Sequence, residues 1–332
     1  MIPSIPEQAT DGTASPLASW RGSRALRIAG SLVGLALFAS AVWVVAGNWH
    51  DIAVAVRSAT HASWWTLPAL ILLPWTSCTL AAAMYHQLLN RDDPSLPRVR
   101  YTEGLAVIAC TWLMNYLPAR PGMFGRLAYH KIVNGMPLRH SVSMSIVAIS
   151  CAGVGVLLLI VVALIAHALQ GATIVVAIML PLPAVLLGIA GVRLRRRELV
   201  RRYLFACCVR YIDVLTWLGR YVCAFTALGR PLALSEAVAL TAVSQAAMLV
   251  PLVSNGLGLR EWAVGLLGPI LPAWMRSGSS LTSELSLAGD LLHRAADIIA
   301  AIPAGLIGSY VVNRNIRKSS RTENTGNAKK SE

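Results

Sequence analysis

Charged residues occur inside apolar segments of this chain, at spacings that place them on one face of a helix. Arg210, Asp213 and Arg220 are separated by three and seven residues, and the last apolar segment has aspartates four and three residues from Arg294. A charge in the middle of a membrane helix costs about 2.5 to 3.5 kcal/mol, so such side chains face the interior of a bundle and find partners there. The residues predicted to line this polar path are Arg210, Asp213, Arg220, Asp290, Arg294 and Asp297.

The two polar faces support two interpretations. The surplus of arginine over aspartate on the first face favours an anionic ligand, because a charge without a partner is costly inside a membrane. In the alternative, the charges neutralise one another and hold the helices together. Arg210 would then pair with Asp213, and Arg294 would pair with Asp290 or Asp297.

Two short polar segments interrupt the apolar sequence, and each contains a proline, then glycines, then an arginine. We call them the first break (residues 118–126) and the second break (residues 249–262). Proline lacks a backbone donor and glycine loosens a helix, so both segments are expected to break helices where the backbone is buried in protein or lines a watery cavity. The residues expected to cause the breaks are Pro118, Gly122, Pro251, Gly256 and Gly258.

The arginines beside the breaks suggest phosphate as the ligand. Backbone amides at a helix N-terminus attract anions, and a guanidinium group binds phosphate through two parallel hydrogen bonds. The predicted headgroup-binding residues are Arg120, Arg126, Asn255, Arg260 and Glu261, and Asn115 is expected to join the polar path. Surface loops are the alternative for the breaks, and Arg120 and Arg126 would then be plain anchors at the cytoplasmic interface.

The composition indicates a membrane protein. Of 332 residues, 56% are hydrophobic and 13% are charged, which is far more apolar than a soluble domain. The net charge of +14 comes from basic residues at the ends of apolar segments, so membrane topology explains it better than nucleic acid does. The cysteines and histidines lack the spacing of metal ligands, and no catalytic motif is recognisable, so neither an enzyme nor a cofactor is expected.

The apolar segments predict an all-α polytopic membrane domain over residues 26–312, between a disordered tail (1–25) and a basic tail (313–332). About six full spans are expected, near residues 28–47, 64–84, 141–166, 172–192, 203–228 and 285–312. Both tails are expected to face the cytoplasm of a bacterial-type inner membrane.

The arginines between Arg193 and Arg202 constrain the topology. Six arginines lie in this stretch, so it should be cytoplasmic. If the N-terminus is cytoplasmic and every apolar segment crosses the membrane, the stretch instead lies on the outer side. We therefore predict two re-entrant broken hairpins, near residues 101–132 and 234–271, that enter from opposite sides as inverted repeats. Eight simple spans are the alternative.

At the two breaks the sequence resembles the transmembrane-region family of lysylphosphatidylglycerol synthases, a family of flippase-like membrane proteins. The segment from Pro251 to Glu261 matches the family pattern of proline, serine, Gly-Leu-Gly, an aliphatic residue and Arg-Glu. The chain departs from the family at Ala119 and Met123, and neutral residues at positions 149–153 replace a charged cluster. Further matches are Asn115, Pro118, Arg120, Gly122, Arg126, Tyr129, Gly135 and Arg294.

The resemblance implies a lipid translocase in a form without the soluble synthase domain. Such a protein would move the headgroup of an anionic phospholipid or of a polyprenyl-type lipid-linked precursor between leaflets, while the chains stay in the bilayer. A second copy of the chain or an enzyme of lipid biosynthesis is a further candidate partner, and no nucleic acid is expected. The alternative is a membrane scaffold that transports nothing and holds a lipid-modifying enzyme or a glycosyltransferase.

Overall fold

The computed structural model describes residues 64–90, 96–117, 121–169, 173–194, 196–249, 256–275 and 281–328, and isolated positions between residues 32 and 50. These residues form α-helices joined by short loops, and no β-strand occurs among them, which confirms the predicted all-α class. The predicted span over residues 28–47 lies largely outside the described residues, and the tail over residues 1–25 lies wholly outside them.

From residue 64 onward, the described ranges contain eleven helices. They are α1 (Thr66–Leu89), α2 (Tyr101–Met114), α3 (Pro121–Ile132), α4 (Leu138–Ala168), α5 (Thr173–Met179), α6 (Leu182–Arg193), α7 (Glu198–Ala227), α8 (Leu234–Met248), α9 (Leu259–Leu267), α10 (Ile270–Met275) and α11 (Ser283–Ala328). Four stretches are long and apolar enough to cross a membrane: α1, α4, α5 with α6, and α11 as far as Ser319. They coincide with four of the predicted spans. A fifth predicted span corresponds to α7, which has 30 residues and carries several charges.

Two helices differ from the sequence prediction. The span expected over residues 172–192 is divided at Leu180 and Pro181, because proline cannot donate the hydrogen bond that would continue α5. The last helix continues to Ala328, so the basic segment predicted as a separate tail begins inside α11. Its polar residues extend a helix that the preceding apolar residues have already nucleated.

Helices end and begin at both predicted breaks. In the first break, α2 ends at Met114 and α3 begins at Pro121, where a proline is tolerated because the first amide of a helix has no partner. In the second break, Gly256 and Gly258 have φ angles of +67° and +78°, which a residue with a side chain rarely adopts. The predicted breakers Pro118 and Pro251 lie outside the described residues.

Helices α2 and α3 form an antiparallel hairpin. Near the break, the Thr111 hydroxyl donates to the Gly122 carbonyl at 3.4 Å. At the other end, Glu103 accepts hydrogen bonds of 2.8 Å from both Tyr129 and Asn134. The open end of the hairpin therefore lies at one end of the bundle, beside the beginning of α4.

Helices α8, α9 and α10 form a second hairpin. Val264 of α9 and Leu271 of α10 belong to the main apolar core, together with Leu240 of α8. Trp274 of α10 stacks on His167 at the end of α4, with ring centroids 4.5 Å apart. The second hairpin therefore returns to the end of the bundle where α4 finishes.

Helix α4 relates the two hairpins. It has 31 residues, or about 46 Å at 1.5 Å per residue, and runs from the opening of the first hairpin to a position beside α10. The two hairpins thus open at opposite ends of the bundle. The arginine-rich segment lies at the same end of the bundle as the opening of the first hairpin. Arg202 donates to the Gln87 carbonyl near the end of α1, and His140, near the beginning of α4, contacts Leu89 there.

Candidate functional site

A cavity of about 290 Å³ lies between α1, α2, α3, α7, α8 and α11, and we call it the central cavity. Asn115, at the end of α2, and Met248, at the end of α8, both line it, so the helices that precede the two breaks both end at the cavity. Its charged side chains come from α3, α7 and α11. They are Arg126, Arg210, Asp213, Arg220 and Asp297.

One ion pair in the cavity lies within α7. Arg210 and Asp213 form a salt bridge, as the neutralisation alternative predicts. Arg210 also donates to the side-chain oxygen of Gln245 on α8 at 3.2 Å. This pair therefore connects α7 with the helix that leads into the second break.

A second ion pair joins α7 to α11. Arg220 donates to Asp297 at 2.8 Å, and both side chains are almost fully buried. Asp297 also accepts hydrogen bonds from Tyr116 and, at 3.4 Å, from Trp112 of the first hairpin. Arg220 is thus compensated from another helix, so the expected surplus of positive charge on α7 is absent. Asp290 and Asp297 both bind arginines of other helices, and Arg294 forms a salt bridge with Glu261.

Arg126 supplies the excess positive charge of the cavity. Its guanidinium carbon lies 3.9 Å from the centre of the Tyr85 ring, and its Nη2 donates to Ser145 at 3.3 Å. In the described part of the chain no carboxylate lies within ion-pair distance of it. With three arginines and two aspartates, the described wall of the cavity carries a net charge of +1. Arg126 is only 8% exposed, which does not fit an anchor at a membrane surface.

A second charged cluster lies beside the cavity and is closed. Arg260 of α9 donates to Asp290 of α11 at 3.0 Å and lies 3.4 Å from His293, while Glu261 forms a salt bridge with Arg294. All five residues are at most 2% exposed. Glu261 also accepts from the Gly258 amide at 2.7 Å, which caps the first turn of α9.

Trp217 separates the closed cluster from the cavity. The guanidinium carbon of Arg220 lies 4.7 Å from its ring centre, and that of Arg260 lies 5.6 Å from it. Trp217 lines the central cavity, whereas none of the five residues of the closed cluster lines it. The ring is thus shared by one arginine of each cluster.

The structure divides the predicted site residues into three groups. Those around the central cavity are Asn115, Arg126, Arg210, Asp213, Arg220 and Asp297. Those in the closed cluster are Arg260, Glu261, Asp290 and Arg294. Arg120 and Asn255 lie outside the described residues.

Several polar and aromatic residues of the site were not predicted. Ser77 and Tyr85 line the cavity from one face of α1, and their spacing of eight residues is a signal of a shared helical face. Trp112 and Tyr116 are four residues apart and both bind Asp297. Tryptophan and tyrosine count as apolar residues in a sequence, so the indole N–H of Trp112 and the hydroxyl group of Tyr116 are not predicted as polar groups of the site.

Four buried polar atoms of the cavity have no hydrogen-bond partner in the described structure. They are Oδ1 of Asn115, Nε of Arg210, Oδ1 of Asp213 and Nε of Arg220. A buried polar atom without a partner costs about 1–3 kcal/mol. A polar ligand in the cavity could satisfy these atoms, and the two arginine nitrogens are donors suited to an anion.

The described chain is therefore an all-α protein with four candidate membrane spans, two broken hairpins and a buried charged centre. Comparison of the sequence with models of known families and with curated proteins, and of the structure with solved structures, found no match.

Proposed function

We propose that this protein is an integral membrane lipid translocase that moves the anionic headgroup of a phospholipid or lipid-linked precursor between leaflets through the central cavity. The observation that carries the proposal is Arg126, a buried guanidinium group without a carboxylate partner among the described residues, in a cavity where the helices preceding both breaks end. A buried positive charge of this kind needs an anion.

The lengths of the broken helices support re-entrant hairpins. Helices α2 and α8 have 14 and 15 residues, or about 21–23 Å at 1.5 Å per residue, which is less than the roughly 30 Å of a hydrocarbon core. Non-helical backbone is tolerated at membrane depth where it is buried or lines a cavity, and the helices before both breaks end at one. The end with the arginine-rich segment faces the cytoplasm in this proposal.

The chemistry of the cavity suits a phosphodiester. Arg126 would bind the phosphate through its guanidinium fork, with Arg210 and Asn115 supplying further polar contacts. One net positive charge matches a headgroup with one negative charge, so the loaded cavity is neutral. A neutral, hydrogen-bonded complex lowers the cost of moving the headgroup through hydrocarbon.

The closed cluster has a different role in this proposal. Arg260 and Glu261 bind partners on α11 with their charged groups, and these contacts hold the second hairpin against α11. They would position the second break at the cavity rather than contact the headgroup. This assignment replaces the headgroup-binding role expected from the sequence.

A reconstitution experiment tests the proposal. Purified protein is placed in liposomes with fluorescent phosphatidylglycerol, and the outer leaflet is quenched to follow exchange between leaflets. We expect Arg126→Gln to slow the exchange at least tenfold, and Arg139→Gln, which changes an exposed arginine at the beginning of α4, to leave it unchanged. Equal rates for the wild type and Arg126→Gln, at equal amounts of folded protein, would contradict the proposal.

A membrane scaffold for a lipid-modifying enzyme or a glycosyltransferase is the second candidate, and helices α5 and α6 favour it. In the most apolar 18 residues of this stretch only 11% of the positions are buried, against 28–39% in the corresponding segments of the other three candidate spans. Such an exposed pair of helices could pack against a partner. The scaffold role predicts no exchange of lipid by any variant, and cross-links from α6 to a co-purified enzyme.

A further inference from the structure

A second, apolar cavity of about 230 Å³ adjoins the central cavity. It lies between α2, α3 and α11, and we call it the chain groove. Its walls are mainly apolar and include Val107, Met114, Gly125, Ala128, Ile132 and Val312. Ile132 is 63% exposed, so the groove reaches the outer surface of the bundle, where lipid chains would lie in a membrane.

The chain groove and the central cavity meet at two shared residues. Thr111 and Arg126 line both. From Arg126 to Ile132 the groove follows α3 for about 9 Å at 1.5 Å per residue. A polar cavity with a positive charge therefore shares Thr111 and Arg126 as a wall with an apolar groove that leads outward.

We propose that the chain groove binds one hydrocarbon chain of the same amphiphile whose anionic headgroup binds Arg126. This inference rests on the proposed function and adds that the protein recognises a chain as well as a headgroup. The ligand class is an amphiphile with a phosphodiester head and an acyl or prenyl chain.

A comparison within the molecule supports this choice of occupant. Another apolar groove, of about 280 Å³, lies between α1, α2 and α11, and no charged residue lines it. Transfer of a chain from bilayer to groove gains little from the hydrophobic effect, because lipid chains are as apolar as the groove. Retention of a chain thus needs the headgroup anchor, which the groove ending at Arg126 provides and the uncharged groove does not.

Gly125 offers a way to fill the chain groove without disturbing the fold. It lines the groove on the outer side of α3, and no atom lies within 4 Å of the position that a Cβ atom would take. Gly125→Leu should therefore occupy the groove with a side chain. Gly104→Leu is the matched control, because Gly104 of α2 also has open space at its Cβ position and lines neither groove.

Photo-cross-linking tests the inference. The full chain is placed in phosphatidylcholine nanodiscs with a trace of phosphatidylglycerol that carries a diazirine in one chain, and labelled residues are mapped by mass spectrometry. We expect labelling of Ala128, Ile132 and Val312 to exceed that of Leu105 and Ile307 in the uncharged groove at least fivefold. Gly125→Leu and Arg126→Gln should each lower the labelling of the chain groove at least fivefold, and Gly104→Leu should not.

Competition distinguishes a lipid from free phosphate as the ligand. Unlabelled phosphatidylglycerol should remove the specific labelling, whereas millimolar inorganic phosphate should not. Equal labelling of the two grooves, unchanged labelling in Gly125→Leu, or equally effective competition by phosphate would overturn the inference.

The inference and the proposed function fail separately. Specific labelling without exchange of lipid between leaflets would support the chain groove while refuting the translocase. Exchange that depends on Arg126 but leaves the chain groove unlabelled would refute the groove while supporting the translocase.

Discussion

Arg220 on α7 and Asp297 on α11 form a buried ion pair of 2.8 Å across 77 positions of the sequence. This pair fixes where the excess charge of the site lies. Because Asp297 compensates Arg220, and Asp213 compensates Arg210, the net positive charge of the central cavity is that of Arg126 on α3.

The first prediction concerns the Arg220–Asp297 pair itself. Asp297→Asn should destabilise the protein by about 3–5 kcal/mol, because it leaves Arg220 as a buried charge without its partner. The double variant Arg220→Met with Asp297→Leu should recover most of this loss, since two apolar side chains of similar volume replace the pair. Thermal unfolding of the wild type, Arg220→Met, Asp297→Leu and the double variant in detergent gives the coupling, and additive effects of the two single changes would show that the pair does not act as a unit.

The second prediction concerns the close contact inside the first hairpin. At Gly122, a Cβ atom would lie 2.5 Å from the Thr111 carbonyl oxygen and 2.8 Å from Oδ1 of Asn115. Gly122→Ala should therefore push α3 away from α2, at a cost of about 1–3 kcal/mol.

Gly125→Ala is the control for this second prediction. Its Cβ position is open, and alanine favours a helix over glycine by roughly 1 kcal/mol, so the melting temperature should stay equal or rise. Equal melting temperatures for Gly122→Ala and the wild type would be incompatible with the packing of α2 on α3.

The sequence was sufficient to predict what depends on local chemistry. The helix ends flanking residues 118–120 and 250–255 follow from proline, which restricts its own backbone, and from glycine, which adopts the positive φ angles that other residues avoid. The apolar runs of α1, α4 and α11 likewise predict candidate spans. The pairing of Arg210 with Asp213 lies within one helical turn, so it too could be foreseen.

The rest of the site depends on contacts between distant helices. The partners of Arg220, Arg260 and Arg294 lie on other helices, at positions that spacing within one helix cannot indicate. For the same reason the sequence predicts the surplus charge on α7. In the structure Asp297 of α11 compensates Arg220, and Arg126 of α3 carries the surplus charge instead. The burial of Arg260 behind Trp217 is also a property of packing, and it changes the proposed role of Arg260 from ligand binding to positioning.

The third prediction concerns the orientation of the two hairpins. Single cysteines replacing Lys131, at the end of α3, and Trp274, in α10, should react with a membrane-impermeant maleimide from opposite sides of a sealed vesicle. The background is the chain with its six native cysteines replaced. Labelling of both positions from the same side would exclude hairpins that open at opposite ends of the bundle.

The fourth prediction separates the closed cluster from the cavity. Glu261→Gln removes the carboxylate charge of a buried ion pair with Arg294 and should therefore lower the melting temperature. It should leave the charge of the central cavity unchanged, so at temperatures where the variant is folded its preference for anionic over zwitterionic lipid should equal that of the wild type. A lost preference with unchanged stability would assign Glu261 to the headgroup instead.

The most direct test of the central claim is native mass spectrometry of the protein with its co-purified lipids. The account predicts that wild-type protein retains one anionic phospholipid, that Arg126→Lys retains it more weakly, and that Arg126→Gln loses it while keeping its fold. Retention of the same anionic lipid by Arg126→Gln at wild-type occupancy would contradict the account.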